Sequence, residues 1–192
     1  MKQTEERAVV DDSHVIDWSL RDPNAFAEVF HRHAGEIGRY VTRRVGAGVA
    51  EDIVAETFLV AFRKRDSYDL ARKDARPWLY GIATNVLRRH HRDEIRALRA
   101  LERTGVDPVV SEGFADRVDG QVTASATSRA LAPVLAGLDA GQRDVLLLTA
   151  WADFTLDEVA EVLGIPQGTA RSRLNRARTK IRTALEKENR HG

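Results

Sequence analysis

The sequence predicts an all-α protein with two helical domains joined by a flexible linker. Apolar residues recur at helical spacing in residues 19–100 and again in 127–187. Between these blocks, over 101–126, glycine, proline and acidic residues interrupt the pattern, which is typical of a linker. Neither block has the alternating pattern of a strand. We expect residues 1–18 to be a mostly disordered acidic leader and 188–192 a short tail.

The N-terminal domain is predicted to contain three main helices. Asp22-Pro23 supplies an N-cap and a first-turn proline for the first helix, which glycines at 46 and 48 should end. The second helix is expected over about 50–64. Residues 65–76 are polar and are predicted to form a loop, and Pro77 then opens the third helix.

Residues 154–181 have the pattern of a helix-turn-helix. Thr155 and Glu158 have the spacing of a capping box, in which each side chain binds a free backbone amide of the first turn. Gly164 can adopt the left-handed conformation that ends a helix, and Pro166 allows a new helix to begin. The second helix should bury one apolar stripe, formed by Ala170, Leu174, Ala177, Ile181 and Leu185.

The second helix of this motif is strongly basic. Residues 168–192 hold eight lysines and arginines against two glutamates. Arginine can pair with two acceptors of guanine, and asparagine suits adenine. A solvated basic face is the alternative, but the capping box, the turn and the basic helix together favour DNA binding. The candidate contacts on this helix are Gln167, Thr169, Arg171, Ser172, Arg173, Asn175 and Arg176.

A second basic surface is predicted on the third helix and the loop before it. Residues 62–76 hold six basic and three acidic side chains, with Phe62 and Tyr68 among them. Cations and aromatic rings suit single-stranded nucleic acid. Core packing is the favoured role for Phe62 and Trp78, whereas Tyr68 is expected to be exposed. On the third helix, simple solvation remains an equal alternative for the polar stripe of Asn85, Arg88, Arg92 and Arg99.

The second helix carries a stripe of a different kind, opposite the residues expected to face the core. An exposed leucine between charged residues is typical of a protein-docking surface, with an apolar anchor and a charged surround. A solvated face with one stray leucine is the alternative. The stripe consists of Asp52, Glu56, Leu59 and Arg63.

Composition excludes several classes of protein. The chain has no cysteine, so it has neither a disulfide framework nor a thiolate zinc site. No apolar run approaches the ~18 residues of a membrane span, and the acidic N-terminus does not resemble a signal peptide. We expect a cytoplasmic protein that needs no metal or cofactor. Residues 20–100 offer no persuasive catalytic serine, tyrosine or metal cluster, so we do not expect an enzyme.

Three segments together resemble bacterial RNA polymerase sigma factors of the extracytoplasmic-function group, in the sigma-70 family. AEDIVAETFLVAFR (50–63) resembles the helix that docks on the β′ clamp helices of core polymerase. RPWLYGIATNVLRRHHR (76–92) resembles the minus-ten recognition helix. Residues 138–182 resemble the domain that recognises the minus-thirty-five element. The N-terminal domain would then be sigma region 2, and the C-terminal domain sigma region 4.

The resemblance implies partners and roles. The partners would be core RNA polymerase, through its β′ clamp helices and β flap, promoter DNA as duplex and as melted strand, and an anti-sigma factor. The stripe at Asp52, Glu56, Leu59 and Arg63 would bind polymerase, and the basic residues of the last helix would recognise the minus-thirty-five element. The implied minus-ten contacts are Arg65, Tyr68, Arg76, Trp78, Asn85, Arg88, Arg89 and Arg92.

Two other classes remain possible from the residues alone. A stand-alone helix-turn-helix repressor or activator would bind DNA as a dimer and would need a self-complementary face. A small DNA enzyme would need a catalytic cluster in the N-terminal domain.

Overall fold

A computed structural model describes residues 10–103, 134–135 and 137–188. The all-α prediction is confirmed, since these residues form helices and turns without a strand. The predicted linker beyond residue 103, the first nine residues and the last four lie outside the described part. Short 3-10 helices span Pro23–Phe26 and Arg65–Ser67. The α-helices are α1 (Asp12–Ser19), α2 (Ala27–Val45), α3 (Ala47–Arg63), α4 (Arg76–Arg103), α5 (Ala140–Trp151), α6 (Leu156–Val162) and α7 (Gln167–Glu188).

Within the predicted leader of residues 1–18, helix α1 corrects the expectation of disorder from residue 12 onward. Val15 and Ile16 of this helix are buried in the N-terminal domain. The Asp12 carboxylate is also buried and accepts the Ala75 backbone N–H at 2.9 Å, which fixes α1 beside the start of α4. The acidic composition concealed a short helix that is stabilised by contacts with residues distant in the sequence.

Helices α2, α3 and α4 form the N-terminal bundle. Ile37 and Val41 of α2 and Leu79 of α4 are fully buried at its centre. The predicted break between α2 and α3 is confirmed, but it is tighter than expected. Gly46 turns the chain with a φ of 75°, a conformation that glycine adopts without steric cost, and α3 begins at the next residue.

A buried charged cluster joins α1, α2 and the start of α4. The His33 ring lies 2.8 Å from the Asp12 carboxylate and 3.0 Å from that of Glu36. Glu36 also accepts a hydrogen bond from Arg76 Nε at 3.1 Å, and Arg32 lies 3.2 Å from Asp12. Burial alone would lower the pKa of His33, but the bonds to the two carboxylates outweigh it and raise the pKa to about 9. The imidazolium therefore ties together helices that lie far apart in the sequence.

The C-terminal domain has the predicted helix-turn-helix. Thr155 Oγ1 accepts the Glu158 N–H at 3.3 Å and Glu158 accepts the Thr155 N–H at 2.8 Å, which completes the capping box at α6. Gly164 ends α6 with a φ of 61°, and the Ile165 N–H reaches back to the Ala160 carbonyl at 2.9 Å. Ala170, Leu174 and Ala177 of the predicted stripe are buried against α5 and α6, while Ile181 and Leu185 are partly exposed.

The two domains pack against each other. The rings of Tyr80 on α4 and Phe154, just before α6, meet edge to face with 5.0 Å between centroids. Arg76 donates to the Ala152 carbonyl at 3.2 Å. Gly81 faces the backbone of Val162 so closely that a Cβ at this position would lie 3.0 Å from its carbonyl oxygen. The first turns of α4 therefore lie against α6 and the segment that joins α5 to α6.

Candidate nucleic-acid and polymerase interfaces

The predicted DNA face of α7 is largely open to solvent. The apolar stripe on the opposite side of α7 is buried in the domain, so the basic side of the helix faces solvent. Thr169 is partly buried, and its carbonyl accepts a hydrogen bond from Ser172 Oγ at 3.0 Å. The exposed predicted contacts are Gln167, Arg171, Ser172, Asn175 and Arg176.

Arg173 differs from the other predicted contacts on α7. Its guanidinium packs over Gly141 of α5, where an added Cβ would lie 2.9 Å from it. The side chain is partly buried as a result. In this arrangement Arg173 joins two helices of its own domain, and its guanidinium is less available to DNA than those of its neighbours.

Tyr68 was expected to be exposed, and that expectation is wrong. Only 6% of the residue is accessible. Its ring meets Trp78 edge to face at 5.0 Å, and its hydroxyl donates to the Arg72 carbonyl at 2.7 Å. Burial is the main cause that raises the pKa of Tyr68 to about 12. The loop folds back over this ring because the hydroxyl finds a partner within the loop itself.

Two arginines of the predicted minus-ten set are held by contacts within the protein. The Arg65 guanidinium lies 3.9 Å from the centre of the Phe62 ring and donates to the Ser19 carbonyl at 3.3 Å, so it ties the loop to the end of α1. Arg76 bonds Glu36, as described above, and lies over the Phe154 ring at 5.3 Å. Both side chains stabilise the fold in this state.

The C-terminal domain covers only part of the polar side of α4. Asn85, Arg89 and Arg92 are exposed, and Arg89 lies 3.4 Å from Glu56 of α3. Arg88 is instead partly covered and donates from Nε to the Asp144 carboxylate at 2.6 Å. Of the four predicted contacts from Asn85 onward, three are therefore accessible, and Arg88 is paired across the domain interface.

A cavity of about 450 Å³ lies where the loop and α4 meet α6. It brings together the predicted residues Tyr68, Trp78 and Asn85. The other lining residues were not among the predicted contacts, although the basic charge of the loop was a signal for Lys64 and Arg72. Those residues are Lys64, Arg72, Ser67, Asp69, Pro77, Gly81 and Ile82, with Glu161 and Val162 contributed by α6.

The predicted docking stripe on α3 is at the surface. Leu59 is 47% exposed, Asp52 and Arg63 are exposed, and Glu56 is partly covered. Beside it, between α2 and α3, lies an apolar groove of about 310 Å³ that the sequence did not reveal. Ala55 in this groove precedes Leu59 by one helical turn, so the groove and the stripe are continuous. The groove is lined by Phe30, Gly38, Thr42, Ala50, Glu51, Val54 and Ala55.

A buried ion cluster at the domain interface was also missed. Asp144 of α5 is completely inaccessible and lies against Arg88 and Arg44, the latter only 8% exposed. A signal was present in the sequence, because Arg44 follows Ile37 and Val41 on the apolar side of α2 at helical spacing. A charge on that side requires a buried partner.

Within residues 10–103 and the described part of the C-terminal domain, no helix is long and apolar enough to cross a membrane. The same part of the chain contains no group of three or more potential metal ligands.

The fold and its exposed basic helix define a two-domain, helix-turn-helix DNA-binding protein. Residues 29–97 match the family model described as Sigma-70 region 2, and residues 134–183 match Sigma-70, region 4. The extracytoplasmic-function sigma factor SigW of Bacillus subtilis is 30% identical over 174 residues, which cover 85% of this chain and 90% of SigW. SigL of Mycobacterium tuberculosis is 31% identical over 160 residues, 82% of this chain and 87% of SigL.

A solved structure of CnrH in complex with the cytosolic domain of CnrY has a similar fold. Its TM-score is 0.62 at 24% identity, and the match covers 91% of this chain and 97% of that one. The two family models follow each other in the expected order, and the relatives align over most of their length. The chain belongs to the extracytoplasmic-function group of RNA polymerase sigma factors, in the sigma-70 family.

Proposed function

We propose that this protein is a dissociable specificity subunit that binds core RNA polymerase and directs initiation at promoters with defined minus-ten and minus-thirty-five elements. The observation that carries the proposal is the pairing of two surfaces on separate domains. The exposed basic side of α7 suits duplex DNA, and the Leu59 stripe on α3 suits a protein. The family to which the chain belongs supports the same division of roles.

We assign recognition of the minus-thirty-five duplex to the exposed side of α7. Arg171 and Arg176 would reach guanine or phosphate in the major groove, and Asn175 would suit adenine. Gln167 and Thr169 lie at the N-terminal end of the helix, where backbone amides also favour a phosphate. Arg173 is proposed to support the helix through its packing on Gly141.

We assign capture of the melted minus-ten strand to the cavity beside α4. Trp78 and Asn85 offer an aromatic surface and an amide for an unstacked base, and Lys64 and Arg72 offer positive charge for the backbone. Removing a base from the stack costs a few kcal/mol, which contacts in a fitted pocket offset.

The protein itself is proposed to carry out no chemistry, since phosphodiester formation belongs to the polymerase. It would act in the cytoplasm, where the polymerase acts. An anti-sigma factor is a further proposed partner because the family resemblance implies one. A repressor or activator that binds a palindrome as a dimer is the alternative function.

Run-off transcription on a pool of randomised promoters tests the proposal. Core polymerase with the protein should yield transcripts from a subset of templates that share two elements with a fixed spacing. Core polymerase alone should not select them. If the protein leaves the transcript profile unchanged but binds a palindromic duplex tightly as a dimer, the alternative function is correct.

Replacement of Arg176 by alanine should weaken recognition of the minus-thirty-five element by roughly 1–3 kcal/mol and relax base preference at one position. Arg176 is exposed, so the fold should not change. The measurement is binding of holoenzyme to promoter duplexes that vary in that element. Arg178→Ala removes the same charge from the same helix, outside the predicted contacts, and should preserve the preference. A uniform loss across all sequences in Arg176→Ala would make this residue a phosphate contact instead.

A further inference from the structure

We propose that helix α1 holds the loop between α3 and α4 in the shape that captures a strand, and that Asp12 is the main positioning residue. This loop comprises residues 64–75. The inference rests on the proposed function, because that function assigns the cavity beside the loop to the melted minus-ten strand. Asp12 is buried, so it would not touch DNA itself and would act through the backbone of the loop.

The N-terminal end of α1 binds the end of the loop at two neighbouring positions. The Asp12 N–H donates to the Lys73 carbonyl at 3.0 Å, and the Asp12 carboxylate accepts the Ala75 N–H at 2.9 Å. Ala75 is completely buried, and its own carbonyl accepts the Leu79 N–H of α4 at 2.9 Å. The backbone at the end of the loop is therefore fixed just before the turn of α4 that carries Trp78.

The C-terminal end of the same helix binds the start of the loop. The Ser19 carbonyl accepts the Arg65 Nε–H at 3.3 Å, and Ser19 is completely buried. Arg65 also donates to the Phe62 carbonyl, and its guanidinium lies over the Phe62 ring. At 1.5 Å per residue, Asp12 and Ser19 are separated by about 10 Å along the helix axis. Helix α1 thus sets the separation of the two ends of the loop.

The partners of Asp12 explain why a carboxylate stands at this position. One of its oxygens lies 2.8 Å from His33 Nε2, and the other accepts a hydrogen bond from Arg32 at 3.2 Å. A buried carboxylate requires such partners, because burial of an unpaired charge is costly. Both partners belong to α2, so the carboxylate is fixed relative to the bundle. Its bond to the Ala75 N–H then fixes the loop relative to the bundle as well.

The middle of the loop is at the surface and would benefit from ends that are already fixed. Leu70 and Arg72 are exposed, whereas the Tyr68 ring packs on Trp78. A loop that becomes ordered only when it binds its ligand loses affinity through the entropy of ordering. Because α1 holds both ends, Lys64 and Arg72 would already line the cavity when a strand arrives.

Replacement of Asp12 by alanine should weaken strand capture about tenfold, because the end of the loop must then become ordered on binding. The probe is a single-stranded oligonucleotide that carries the minus-ten element selected by run-off transcription, and its binding to holoenzyme is measured. Association with core polymerase and binding to a minus-thirty-five duplex should stay at wild-type levels. Asp17→Ala is the matched control. It removes a carboxylate from the same helix, where the partner is the exposed Arg21, and should keep wild-type strand affinity.

Asp12→Asn separates positioning of the loop from stability of the fold. The amide oxygen can still accept the Ala75 N–H, but the ion pairs with His33 and Arg32 are lost. Thermal unfolding should therefore show that both Asp12 variants are less stable than wild type, whereas Asp12→Asn should recover nearly wild-type strand affinity. If the two variants bind the strand equally weakly, the carboxylate only stabilises the fold and the proposal is overturned. Wild-type strand affinity in folded Asp12→Ala would overturn it as well.

Arg65→Lys tests the start of the loop and decides the matter if Asp12→Ala does not fold. Lysine keeps the positive charge that a phosphate contact would need, but it lacks the planar guanidinium that binds the Ser19 and Phe62 carbonyls together. Strand affinity should again fall, while association with polymerase is kept. Unchanged affinity in this variant would overturn the role of α1 and leave the proposed function standing. Failure of the wild-type holoenzyme to bind the strand would instead refute the proposed function, and this inference with it.

Discussion

Replacement of Leu59 by aspartate is expected to abolish association with core RNA polymerase and to leave the protein folded. Leu59 is 47% exposed, so it contributes little to the core of the N-terminal bundle. It lies between Asp52 and Glu56 on one side and Arg63 on the other, at the centre of the proposed docking surface. Loss of an apolar anchor typically costs 2 kcal/mol or more. An unpaired carboxylate buried in its place adds a desolvation penalty of several kcal/mol.

Co-purification with tagged core polymerase measures this effect. Leu70→Asp is the matched control, because Leu70 is 46% exposed but lies in the loop after α3, outside the docking surface. The control should still co-purify with polymerase, and both variants should unfold at the same temperature as wild type. If Leu59→Asp co-purifies as wild type does, the docking surface is not on this side of α3.

The apolar groove beside Leu59 extends the same argument. Phe30 is 41% exposed although it packs on Phe58 with 4.9 Å between ring centres. A half-exposed aromatic ring in the groove adds apolar surface to the anchor that Leu59 offers. The sequence could not distinguish Phe30 from the buried residues of α2, because periodicity predicts the side of a helix and not how much of it a neighbour covers.

The features predicted correctly were local ones. The capping box of Thr155 and Glu158, the left-handed Gly164 and the break at Gly46 each depend on residues within a few positions of one another. Their chemistry is complete within one turn of chain, so spacing alone was enough to identify them.

The features that were missed depend on distant residues. Tyr68 is buried because Trp78 of the next helix gives its ring an apolar wall, although the acceptor of its hydroxyl, the Arg72 carbonyl, is local. Helix α1 is ordered because Asp12 meets His33 and the Ala75 amide. The cluster of Arg44, Arg88 and Asp144 joins residues of two domains. No local sequence pattern predicts which of these charged residues form ion pairs.

Loss of the His33 proton should make the protein less stable as the solution becomes alkaline. The pKa of His33 is about 9 in the folded protein, against about 6.5 for an unperturbed histidine. The folded state therefore binds the proton more tightly than the unfolded state. Its contribution is complete below about pH 6.5 and is lost as the pH rises through 9. Between pH 7 and pH 10 the free energy of unfolding should fall by about 2–3 kcal/mol on this account.

The carboxylates of the cluster act in the opposite direction. Burial tends to raise the pKa of Asp12 and Glu36, but the hydrogen bonds to His33 lower the pKa of both. Arg32 lowers the pKa of Asp12 further, and Arg76 lowers that of Glu36. Their contribution is present at neutral pH and is lost as the pH falls through the acidic range. The cluster as a whole should therefore stabilise the protein most between these limits.

Urea unfolding at pH 7, 8.5 and 10 measures the alkaline loss. Other groups titrate in this range, so the relevant quantity is the difference between wild type and His33→Gln, which should shrink as the pH rises. His31→Gln is the control, since His31 lies on the same helix but is exposed, and this variant should keep the wild-type pH dependence. Equal alkaline slopes for wild type and His33→Gln would show that the imidazolium does not hold α1, α2 and α4 together.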